Sequence, residues 1–407
     1  MIGHWQSVGT ASLGAAAAAA ASLGALERVL DRINRLRSSP RRRGPRITDA
    51  CLESLGPRFR EDERGVNASV QTRCTLGAAS LNILGAALAL AAAVSPGPAQ
   101  AAEPVTLRVN AFPNAKALPL HAGIANGIFA RRGFAIELEL TEGSRPQREG
   151  LASGKTHVAH SAVDNALAMI EVAKEDVVIV SGGDSGMNEF FVQGSINGFS
   201  DLRGRTLVVD APDTAYALQL KKILARHGLG AGDYKVNPVG AGPFRFKAMM
   251  EDNSNAGGIL NLPFTVQAEA AGMKSLGRTI DMLGAYQAAG AFTMRKWAEA
   301  NRDTLARYLA AYVESLRFVR DPANKAANLA ILVDKLKLST REAERTYALL
   351  LDPAFGFTPD AAFDRLGFTN VLALRAELER KAGTDVPAPE RYVDLSYYER
   401  AMQLVGR

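Results

Sequence analysis

Cysteine is nearly missing from this chain: Cys51 and Cys74 are the only two in 407 residues. Both precede the cleavage-like site described below, so the folded part is expected to have none. That excludes disulfides, thiolate catalysis and cysteine-based zinc sites together. After residue 101 there is no GxxxxGK[ST], HExxH or GxSxG either, so no catalytic residue, cofactor or metal is expected. The string GDSG in SGGDSGM (181–187) surrounds the nucleophile of trypsin-like proteases, which are all-β. Here it closes a strand-like run in an α/β chain and reads as a glycine-rich loop. His157 and His160 fall on one predicted strand with their side chains on opposite faces, which separates them as metal ligands. His121 starts a helix but has no partner in sequence.

Lysine is absent from the first 101 residues, which hold 12 arginines against seven acidic residues. Beyond them 36 basic residues face 35 acidic ones, so the formal net charge of +6 leaves no footprint for nucleic acid in the body. The one long uncharged apolar run is LGAASLNILGAALALAAAV (76–94), preceded by Arg73 and followed by Ala99-Gln100-Ala101. Small residues at −3 and −1 fit a signal peptidase, so residues 66–101 read as a signal peptide and the expected location is the periplasm. Residues 1–65, with an alanine tract and an arginine-rich stretch, read as an unfolded extension or a start called too early. A membrane anchor and a mitochondrial-type presequence are the rival readings of this region.

What is present is α/β periodicity. HAGIANGIFARRGFAIELEL (121–140) changes from helix spacing to strand alternation, and TLRVN (106–110) before it is another strand-like run. Strand, loop, helix, strand reads as two parallel strands joined by a right-handed crossover. Shifted by one hundred residues, TLRVNAFPNAKALPLHAGIA (106–125) lies over TLVVDAPDTAYALQLKKILA (206–225) with nine identities in twenty positions. The order of element types repeats as well, ending in the strands THVAHSA (156–162) and AGGILNL (256–262). Two similar α/β lobes are expected, 102–190 with 285–407 forming one and 191–284 the other, with crossings near 188–194 and 281–286 that act as a hinge. Helices after Tyr286 follow from the apolar face Leu305, Tyr308, Leu309, Tyr312, Val313, Leu316 and from a capping box, Ser339 with Glu342. The proline-broken segment 382–398 gives no reading.

In open parallel sheets ligands sit beyond the carboxyl ends of the strands, near helix N-termini. The loops placed there are 110–114, 161–165, 182–186, 210–214 and 261–264, which nominate Asn110, Asn114, Asn165, Gly183 and Asn261.

The stretches PLHAGIANGIFARRGFAIELEL, GLASGKTHVAHSAVDNAL, DLRGRTLVVDAPDTAYALQLKKILARHGL and GILNLPFTVQAEAAG, with the helical stretch from Trp297, resemble the nitrate, sulfonate and taurine type of substrate-binding proteins of ABC importers, including the thiamine-pyrimidine-precursor branch. The resemblance runs over residues 104–350. It implies a two-lobed periplasmic-binding-protein fold of type II (flytrap), here with additional C-terminal helices, and a monomer that delivers a small organic solute to a cognate permease and ATPase. Carried onto this chain it implies Phe112, Pro113, Ser161, Asp164, Asp213, Thr214, Ala215, Pro263, Phe264 and Tyr286 as ligand-binding residues. Four aspartates in the loops, Asp164, Asp184, Asp210 and Asp213, favour a neutral, aromatic or amine-bearing solute over an oxyanion. Arg145 and Arg245 would reverse that preference if they point inward. An enzyme of thiamine-pyrimidine type on the same fold and a ligand-sensing domain stay open as alternatives.

Overall fold

The computed structural model describes residues 103–379 and 387–406. The expected extension and signal peptide, with Cys51 and Cys74, lie outside the described residues.

Strand β1 (Val105–Ala111) starts exposed and is buried from Val109 onward. Asn114 closes the following loop by accepting a hydrogen bond from the Lys116 amide, and one 3-10 turn leads into the helix Leu118–Ala125, whose first turn holds Pro119. Gly127, at φ 65°, makes the left-handed turn that ends this helix. After the short helix Ile128–Arg131 the chain returns as β2 (Phe134–Leu140), parallel to β1 from Val105 opposite Phe134 to Ala111 opposite Leu140. The change of period at residues 121–140 is this crossover.

The remaining strands are β3 (Val158–Ala162), β4 (Val177–Asp184), β5 (Asn188–Val192), β6 (Thr206–Val209), β7 (Lys235–Pro238), β8 (Asn255–Asn261), β9 (Lys274–Arg278) and β10 (Ala289–Met294). They form two five-stranded sheets of the same plan, ordered β2-β1-β3-β10-β4 and β7-β6-β8-β5-β9. In each sheet the first three strands are parallel and the last two pairings are antiparallel. The stretches related by the hundred-residue shift are β1 with the helix Leu118–Ala125, and β6 with the helix Ala215–Arg226.

Two details differ from the sequence reading. Ser181 to Asp184 continue β4 and do not form a loop, because a peptide carbonyl packs where side chains would otherwise stand: a Cβ on Gly182 would lie 2.1 Å from the Ala362 oxygen. The outgoing crossing therefore comes early, at residues 185–187, and Asn188 is already in β5. The return starts at Gly284, since Asp281 belongs to the helix Thr279–Leu283.

The helix Arg302–Arg320 buries Leu305, Tyr308, Leu309, Tyr312 and Leu316 against the first sheet's core, and Val313 is buried as well. The capping box at Ser339 and Glu342 opens the helix Thr340–Leu350. The segment that gave no reading in sequence has a defined place where it is described: Tyr392 and Asp394 bond the backbone of Ile179, laying Val393 beside β4.

Candidate functional site

Where the carboxyl ends of the two sheets face each other, a cavity holds about 890 Å³ of empty space, part of it continuous with solvent. A concave site lined by apolar surface and a few convergent polar groups is the kind of place where small molecules bind. The first lobe lines it with Phe112, Asn114, Lys116, His160, Ser161, Asn165, Asp184 and Tyr312, and the second with Asn188, Asp210, Thr214, Tyr216, Gln219, Gly242, Arg245 and Asn261. The lobes meet around it. The Ala115 amide donates to the Leu262 carbonyl at 3.1 Å, the Ala241 amide to the Glu142 carbonyl at 3.2 Å, and the Ser144 hydroxyl to Asp210 at 3.4 Å.

On the first wall, Gln147 organises an amide and hydroxyl cluster. Its Nε2 donates to Asn110 at 2.8 Å, and its Oε1 accepts from Ser161 at 2.6 Å and from Asn165 at 3.0 Å. Lys116 Nζ lies 3.0 Å from Asp184 Oδ1, which also accepts the Gly186 amide at 2.7 Å. His160 bonds the Tyr308 hydroxyl at 2.8 Å, and burial pushes its imidazole down to about 3, so the ring is neutral at physiological pH.

On the second wall the helix Ala215–Arg226 begins at the cavity, with Thr214 as the residue before its first turn. The Thr214 hydroxyl bonds the Asp210 carboxylate and not its own helix, so the first N–H groups of that helix keep no side-chain cap. Burial raises the Asp210 carboxyl above the usual range, opposed by Arg245 and by the Thr214 hydroxyl. Arg245 is only 1% exposed. Its guanidinium lies 4.0 Å over the Tyr216 ring, Nε donates to the Ile259 carbonyl at 3.2 Å and Nη1 to the Gly240 carbonyl at 3.0 Å. Asn261 Nδ2 bonds the Tyr216 hydroxyl at 2.7 Å.

Of the fifteen residues nominated from sequence, Phe112, Asn114, Ser161, Asn165, Gly183, Thr214, Ala215 and Asn261 are brought together on the cavity wall. The other seven are not. Asn110 sits behind the wall and holds Gln147. Asp164 is buried in an ion pair with Arg375 at 3.0 Å and accepts the Tyr286 hydroxyl at 3.1 Å, so Asp164 and Tyr286 bond each other off the cavity wall. Phe264 packs in the second sheet's core, with Pro263 before it. Asp213 faces Arg148 at 3.5 Å, and Pro113 is half-buried off the wall. Arg145 is a surface residue, 84% exposed and bonded to Glu149, whereas Arg245 points inward. Four wall residues escaped the sequence reading: Lys116, Tyr216 and Gln219 lie two, two and five residues beyond the strand-end loops, and Tyr312 lies on the helix Arg302–Arg320, remote in sequence from all of them. Helix spacing of four from Ala215 is the signal that points to Gln219.

Two mixed sheets of matching order, joined by two short crossings and enclosing one cleft, define a periplasmic-binding-protein fold. Solved structures share it: a protein from Bordetella bronchiseptica RB50 (19% identity, TM-score 0.64, 74% of this chain and 97% of that one), the nitrate-binding protein NrtA of Synechocystis PCC 6803 (14%, 0.62, 74% and 89%), and the alkanesulfonate-binding protein SsuA of Xanthomonas axonopodis pv. citri bound to MOPS (17%, 0.56, 68% and 92%). No curated protein matches the sequence. The NMT1/THI5-like family model matches residues 114–325, and the chain belongs to that family.

Proposed function

We propose that this protein is the extracytoplasmic solute-binding component of an ABC importer, capturing a small organic solute between its lobes and delivering it to a membrane permease driven by an ATPase. The observation that carries the reading is the composition of the cavity wall, to which both lobes contribute polar side chains and which neither lobe completes alone. The short crossings at 185–187 and 284–288 act as the hinge. A solute that touches both walls favours the closed state, because only contacts that differ between open and closed states shift that equilibrium. The closed form, with its loops brought together, is the surface a permease recognises. The nitrate-binding and alkanesulfonate-binding relatives of the fold support this reading. The protein acts as a monomer, reaches the periplasm by a cleaved signal peptide at residues 66–101, and binds no nucleic acid.

Binding without turnover fits the wall's chemistry. His160 is held neutral by burial and bonds a tyrosine hydroxyl, and Ser161 donates to an amide oxygen, so the imidazole and the Ser161 hydroxyl are not paired as base and nucleophile. A thermal-shift screen against taurine, alkanesulfonates, aromatic acids, pyrimidines and polyamines tests the reading. A matching solute stabilises by RT ln(1 + [L]/Kd), about 2.7 kcal/mol at one hundred times Kd, and is recovered unchanged. Turnover of any compound favours the enzyme of thiamine-pyrimidine type instead.

A further inference from the structure

The charged groups of the cavity are already matched. Lys116 lies 3.0 Å from Asp184, and Asp210 is bonded by Thr214 and Ser144 beside Arg245. Two cations against two carboxylates leave no net charge for a solute to neutralise. Arg245 also spends Nε on the Ile259 carbonyl and one Nη1 hydrogen on the Gly240 carbonyl, so its Nε–Nη2 edge is not available to clamp a carboxylate or sulfonate with two parallel bonds.

Three residues of the cavity wall each carry a buried polar atom that has no partner among the described residues: the donor Arg245 Nη2 and the acceptors Asn188 Oδ1 and Asn261 Oδ1. These residues are 1%, 3% and 1% exposed. A buried polar group left unmet is destabilising, so an occupant that meets all three is favoured over one that meets none.

The polarity of Asn188 is set from behind the wall. The Tyr286 hydroxyl spends its one proton on Asp164 at 3.1 Å, so its oxygen can only accept the bond that Gln219 makes to it, which leaves Gln219 as the donor there. Gln219 then has its oxygen free to accept Asn188 Nδ2, at 3.4 Å. The carboxylate can only accept, so each group along the line is fixed and Asn188 is left with its oxygen unpartnered at the cavity.

We propose, resting on the solute-capture reading above, that the solute is an uncharged ureide or lactam whose carbonyl oxygen meets Arg245 and whose N–H groups meet Asn188 and Asn261, with Asp164, Tyr286 and Gln219 as positioning residues. Hydantoin and uracil are the probes of this class at pH 7; 1,3-dimethyluracil removes the N–H donors; β-alanine supplies a zwitterion, and nitrate and ethanesulfonate supply anions. Calorimetric titration of the full-length protein is expected to show a ureide binding at least tenfold more tightly than the zwitterion or either anion. Asn261→Ala and Tyr286→Phe each weaken that ureide about tenfold, while the dimethylated probe binds weakly to all three proteins and is indifferent to both substitutions. That indifference separates a positioning role from general damage to the fold. Nitrate, ethanesulfonate or β-alanine binding as tightly as the best ureide overturns the solute class and leaves capture by an importer component standing. Silence from all six probes overturns the class as well; the transport reading falls only if the broader screen above also yields turnover.

Discussion

Arg145 and Arg245 lie in the first turns of the helices Ser144–Ala152 and Gly242–Glu251, which follow equivalent strands, yet one is solvated and the other is packed on Tyr216. Nothing local to either residue separates them, because the difference comes from the Tyr216 ring and the carbonyls of Gly240 and Ile259, which are assembled only in the fold. His160 carries a consequence that can be measured. Its imidazole falls from an ordinary value near 6.5 to about 3, so below pH 6.5 the unfolded chain binds a proton that the folded protein refuses. Stability therefore drops as pH falls from 6.5 towards 3, by at most about 1.4 kcal/mol per pH unit from this residue. His160→Gln, which keeps a partner for Tyr308, is expected to flatten that part of the curve in urea melts taken between pH 4 and 7; an unchanged slope contradicts the assignment. Gly182 is a second residue whose role is steric. Gly182→Ala places a methyl against the Ala362 carbonyl and is expected to cost about 2 kcal/mol in chemical denaturation.

At the scale of elements, the sequence shows best what is periodic or capped. The apolar face of Arg302–Arg320 and the Ser339 box could be read directly, and Ser339→Ala is expected to lower stability by about 1 kcal/mol. The helix Arg365–Glu379 shows the opposite case. Its Arg375 reaches Asp164 of the first lobe at 3.0 Å and the Asp213 carbonyl of the second at 3.5 Å, and Lys222 of the second lobe pairs with Glu377. Contacts separated by more than 150 residues leave no local signature, so the sequence places Asp164 at the ligand whereas the structure pairs it with this helix. Removing one partner of a buried pair leaves the other charged without compensation. Arg375→Met is expected to destabilise by about 3–5 kcal/mol, and the double substitution with Asp164→Asn by less than that single change, in a thermal or urea melt.

Across the whole molecule, duplication was the most legible feature, because the hundred-residue shift preserves both residues and element order. The exchange of strands was not legible. The chain enters the second sheet as β5, antiparallel to β8, and re-enters the first as β10, antiparallel to β3 and β4, so the two crossings are short and lie together at the hinge. Their positions depend on β4 running through two glycines, which the Ala362 and Ala289 carbonyls approach from outside the local sequence. The central claim is that the lobes close on a solute. Labels at Arg145→Cys in the first lobe and Lys247→Cys in the second, both exposed, report the distance across the cleft by double electron–electron resonance. A solute that binds stoichiometrically is predicted to shift that distribution to one shorter, narrower distance. A distribution unchanged by such a solute contradicts the account.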